Sequence, residues 1–130
     1  MTGLCLAGGG AAIKIATAGF VLSWVHTIEH TRWSERWEIR PEGLVVAEAA
    51  IETSGAGMDP PDGARLEDGR YVWTPSVPPI SELVLRRAPE AGDWTLCAAG
   101  ACRTIAAWLT ADADPVRLSP ADGACAPPPD

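Results

Sequence analysis

From Phe20 the chain alternates between apolar and polar positions. Phe20, Leu22 and Trp24 occupy every second place, and a period of two carries that face on to His26 and Ile28. Val25, Thr27 and Glu29 then point the other way, so residues 20–27 form the strongest predicted strand. Over 33–39, Trp33, Glu35, Trp37 and Ile39 alternate with Ser34, Arg36 and Glu38, as in a strand with one wet face. Pro41-Glu42-Gly43 supplies a turn, Pro fixing φ and Gly accepting a positive value. Its hairpin partner is 44–53, a strand by its flanking glycines even though 46–51 is rich in Ala. Pairing residues whose numbers sum to about 84 sets Glu35 opposite Ala49.

The remaining elements are short. Residues 4–7 and 12–16 flank Gly8-Gly9-Gly10 and form a first hairpin; Asp68-Gly69 turns into Tyr71-Val72-Trp73; 82–87, 94–98 and 102–108 are the last main strands, the final one ending in a helical turn. Pro60-Pro61 and the prolines of 75–79 remove ladder donors and mark loops. About nine short strands broken by turn residues predict a single all-β domain, an antiparallel β-sandwich or small barrel. The domain spans 1–110. A Pro- and Ala-rich C-terminal tail covers 111–130, with an edge strand at 115–118.

A chain of 130 residues builds one core. Ten Lys and Arg against 17 Asp and Glu give a net charge of −7, and the basic residues are scattered among acids. Nucleic acid is therefore not an expected partner, since such binders concentrate positive charge on one face. No apolar stretch reaches the length of a membrane span. The first residues lack the basic region of an export signal, which predicts a cytoplasmic protein; a periplasmic location is the alternative.

Four cysteines pull the other way, because disulfides belong to oxidising compartments. If Ala99 and Gly100 form a two-residue turn, Cys97 opposes Cys102 as a non-hydrogen-bonded pair on one face. Cys5 and Cys125 are placed to join the two ends of the chain. Reduced thiols and a four-cysteine zinc site are the competing readings, the latter without paired C-x-x-C spacing.

His26 on an apolar face needs a hydrogen-bond partner, since burying an unpaired polar group costs roughly 1–3 kcal/mol. The alternation turns Glu35 inward, Glu48 shares a face with Leu44 and Val46, and Glu29 sits just past the Trp24 strand. Three readings follow: a satisfied polar cluster completed by Arg32 or Arg36, a site for a small polar ligand, or a metal or acid–base centre. No ligand spacing as specific as H-E-x-x-H is present, and neither a metal nor another cofactor is expected. Gly55-Ala56-Gly57 offers backbone amides to a ligand, or is a loop needing positive φ. The six tryptophans are read as core and strand-face packing.

Those residues taken in order resemble the bacterial domain-of-unknown-function family 1850. The likeness rests on Val25-His26-Thr27-Ile28-Glu29, then Glu35 and Trp37, then Glu48, then Gly55-Ala56-Gly57-Met58, then Trp94-Thr95-Leu96-Cys97 and Cys102, over roughly residues 20–106. The pattern departs at Val25, and at His30, where a Lys is common. The resemblance implies no activity. It implies company with the membrane subunits of TAXI-type tripartite (TRAP) transporters, and hence a non-enzymatic accessory or small-ligand-binding domain. Candidate ligand-binding residues are His26, Glu29, Glu35, Glu48, Gly55 and Gly57. A metal-dependent enzyme using the His/Glu cluster and a pure interaction scaffold are the alternatives.

Overall fold

The computed structural model describes residues 2–25, 31–52, 62–87, 92–109, 113–123 and 125–126. Among the described residues, eleven strands and one short helix run in the order β1 (Gly3–Gly8), β2 (Ala11–Ile15), β3 (Gly19–Val25), β4 (Arg32–Arg40), β5 (Gly43–Glu52), β6 (Arg65–Glu67), β7 (Arg70–Trp73), β8 (Leu83–Leu85), β9 (Thr95–Ala98), β10 (Ala101–Thr104), α1 (Ile105–Trp108) and β11 (Val116–Ala121). They form two antiparallel sheets, β2-β1-β11-β8 and β10-β9-β3-β4-β5-β7-β6. The expected all-β architecture holds, and it is sandwich-like.

The core follows from the alternation. Leu4 and Leu6 of β1, Val116 and Leu118 of β11, and Leu85 of β8 pack against Phe20, Leu22, Trp37, Leu44, Val46 and Leu96 of the larger sheet. Phe20 stacks on its cross-strand partner Trp37 with ring centroids 6.2 Å apart. Leu44 and Ile80 exchange backbone hydrogen bonds of 2.7 and 3.0 Å, which anchors the crossover from the larger sheet to β8. Gly43 permits this approach: its φ is +132°, and a Cβ there would stand 2.5 Å from the Ile80 carbonyl oxygen.

Two expectations change. The segment after residue 110 is not wholly a tail, and the strand near 115–118 is not an edge. As β11, Val116–Ala121 lies between β1 and β8, and Val116 and Leu118 are fully buried. Such a place is set by pairing between the two ends of the chain, which local composition does not encode. The second is β6, a strand exposed throughout that pairs with β7 across the Asp68-Gly69 turn; its Arg and Glu at the ends hid it among loop residues.

A polar network ties the connections beyond β8 to α1. One edge of the Arg87 guanidinium, Nε and Nη2, donates to the two oxygens of the Asp93 carboxylate at 3.2 and 3.3 Å, and Nη1 donates to the Ala113 carbonyl at 2.9 Å. Asp93 also accepts the Ala106 amide at 2.8 Å. The pair is largely withdrawn from water, with side chains 17% and 20% exposed. Removing one partner strands the other in a poorly solvated place. Asp93→Ala is therefore expected to lower stability by about 2–3 kcal/mol in urea unfolding.

Candidate functional site

The register decides which predicted site residues meet. Glu35 pairs with Ala49, as the hairpin arithmetic required, and with Leu22 on its other side, and all three side chains lie on the core face. One step on, Arg36 pairs with Glu48 but Trp37 with Val46. Ala47 is therefore an extra residue in β5, a β-bulge that reverses the phase of the alternation. Leu44 and Val46 stay inward, and Glu48 turns outward beside Arg36. Glu35 and Glu48 consequently stand on opposite faces of the sheet, against the expectation of one shared cluster. His26, Glu29, Gly55 and Gly57 lie outside the described residues. Among the described residues, no three His, Cys, Asp or Glu side chains gather as metal ligands.

Glu35 is half-buried beneath the sheet. The indole Nε1 of Trp37 donates to its Oε1 at 3.2 Å. Burial lifts its carboxyl above the usual carboxylate value of 4.5, and the Trp37 hydrogen bond opposes that rise. The folded protein thus binds a proton more tightly at Glu35 than the unfolded chain does. Stability from this group is fully present below pH 4.5 and is lost as pH rises through the folded value. Glu35→Gln keeps an acceptor for Trp37 without the charge. It is expected to be as stable as the parent or more so at pH 7, by less than about 1 kcal/mol, and to abolish the loss of stability that Glu35 brings as pH rises above 4.5.

The outer face carries a different constellation. A row crosses the strands from Cys102 through Cys97, Val21 and Arg36 to Glu48, and a shorter row beside it joins Gly19, Glu38 and Val45. β9 pairs with β3 only over Val21, Leu22 and Ser23, then turns back at Ala99 and Gly100 with φ of +52° and +80°. The hairpin tip therefore stands beside the start of β3 and leaves a cleft of about 540 Å³. Its walls are Gly19, Val21, the Cys97–Cys102 hairpin and the Arg36–Glu38 edge of β4. That volume is within the range of small-molecule sites.

The cleft has an apolar floor and a charged rim. Arg40 donates twice to Glu38 Oε1, once from Nε at 2.8 Å, while Arg36 reaches Glu38 Oε2 at 3.3 Å. These bonds and charges, Arg40 foremost, hold the exposed Glu38 carboxyl below its usual range. Two guanidinium groups thus share one carboxylate at the rim. Arg36 also has Glu48 as its cross-strand neighbour on β5.

Both candidate disulfides form. Cys97–Cys102 bridges directly opposed residues with Cα atoms 3.9 Å apart, and Cys5–Cys125 joins the chain ends with Cα atoms 5.5 Å apart. The latter sits on the outer face of the smaller sheet, where Cys5, Ala7 and Ala121 form a small second cluster. Sequence reasoning found the cysteines of the cleft wall but not the cleft, because only the register brings Val21, Arg36 and the 99–100 turn together.

The fold and its cleft define a disulfide-linked β-sandwich domain. The chain belongs to the family described as Domain of unknown function (DUF1850), whose model matches residues 20–105. The match takes in every strand of the larger sheet and β8; β1, β2 and β11 lie outside it. No curated protein and no solved structure is matched by this chain. Among the described residues, no helix is long and apolar enough to cross a membrane.

Proposed function

We propose that this is a non-enzymatic accessory domain that binds a small ligand with an apolar body and a polar group. The observation that carries the reading is the cleft of about 540 Å³ between the Cys97–Cys102 hairpin and β3–β4. Its floor buries the apolar part, and Arg36 and Glu38 meet the polar part. The setting we propose for it, on the resemblance drawn from the sequence, is partnership with a TRAP-type transporter membrane subunit. Two disulfides favour folding in an oxidising compartment, so the periplasm replaces the cytoplasm as the proposed location.

The probe is 1-anilinonaphthalene-8-sulfonate, an apolar anion sized for the cleft. Calorimetry is expected to show saturable one-to-one binding to the native protein. Val21→Trp fills the floor from the outer face and is expected to weaken binding at least tenfold with the fold intact. Undiminished binding to Val21→Trp would place the probe elsewhere and remove the cleft as the site.

A further inference from the structure

We infer that Cys97–Cys102 is a thiol–disulfide exchange site, which a dithiol opens without unfolding the domain and which reshapes the cleft wall. The two disulfides differ in access. Cys102 is exposed, Cys97 half-buried, and both line the cleft. Cys5 is 7% exposed and packs with Ala7 and Ala121, Cys125 is half-buried, and neither is exposed as Cys102 is. Exchange needs a thiolate to reach a sulfur, so exposed bridges are the labile ones.

The bridges also differ in what they hold. Cys97 and Cys102 are 5 residues apart in a hairpin whose ladder already pairs Ala98 with Ala101, Leu96 with Arg103 and Thr95 with Thr104. That register persists without the bridge. Cys5 and Cys125 are 120 apart, and their bond joins the ends of the fold.

The step balances with a dithiol as reductant. Its thiolate attacks the exposed Cys102 sulfur, the Cys97–Cys102 bond breaks, and Cys97 leaves as a thiolate that takes a proton. The second thiol of the reductant then displaces Cys102. Two thiols remain on the protein and one disulfide on the reductant. The bridge ties together the two strands of the wall that faces Gly19 and Val21, and its opening frees that wall to move. Any regulatory meaning rests on the ligand-site reading; the exchange itself does not.

The test needs no ligand. Native protein is treated with dithiothreitol, quenched with N-ethylmaleimide and mapped by mass spectrometry, with amide spectra recorded in parallel. Cys97 and Cys102 are expected to label at least tenfold faster than Cys5 and Cys125, with the spectrum still that of a folded protein and the Gly19, Val21 and Arg36 amides shifted. Equal labelling rates, or labelling only with loss of the folded spectrum, would overturn the exchange site. Selective labelling with unmoved cleft amides would overturn the reshaping of the wall. A Cys97→Ser/Cys102→Ser variant separates the cases: it is expected to fold and to reproduce the reduced amide positions.

Discussion

Replacing both Cys5 and Cys125 by serine is expected to lower the unfolding free energy by about 4–5 kcal/mol. The bond closes a loop with a sequence separation of 120, and the entropy removed from the unfolded chain grows with the logarithm of that length. It also fastens a face that packs Ala7 and Ala121 over β1, a strand buried along its whole length between β2 and β11. Losing the bond loosens the smaller sheet from both ends. The same substitution at Cys97 and Cys102, separated by only 5 residues, removes far less and is expected to cost about 2 kcal/mol. Urea midpoints of the two double variants measure the difference. Equal losses would show that loop length is not what the bridges contribute.

Trp37→Ala is expected to cost about 3–5 kcal/mol, the range for emptying a buried aromatic site. Trp37 is 5% exposed, stacks on Phe20 and lies within the core shared by both sheets. The change also takes from Glu35 its indole donor. Trp37→Phe separates these contributions, because the ring remains while the Nε1 hydrogen bond is lost. It is expected to cost about 1 kcal/mol plus a repacking penalty, and to raise the Glu35 carboxyl further above its ordinary value. A carbon-detected titration of that carboxyl follows the shift directly. An unchanged titration in Trp37→Phe would mean that the indole does not hold Glu35 in solution.

Much of this architecture was legible because it is local. The alternation from Phe20 to Trp24 and from Trp33 to Ile39, the turn at Pro41-Glu42 and the pairing of Glu35 with Ala49 all follow from period and turn chemistry. So does the opposition of Cys97 and Cys102 across Ala99-Gly100. What stayed hidden depends on single insertions or distant pairings. Ala47 sits in an Ala-rich stretch with no glycine to mark a bulge, yet it sends Glu48 to the face opposite Glu35. The interior place of β11 comes from its pairing with β1, more than a hundred residues earlier. The bulge alone parts Glu48 from Glu35, and the cleft lies on the outer face with Arg36, away from Glu35.

Amide shift mapping of the 1-anilinonaphthalene-8-sulfonate complex tests the central claim most directly. Shifts are expected to concentrate at Gly19, Val21, Arg36, Cys97 and Gly100, which surround the cleft. Shifts centred instead on Leu22, Glu35 and Ala49 beneath the sheet would contradict the assignment of binding to the outer face.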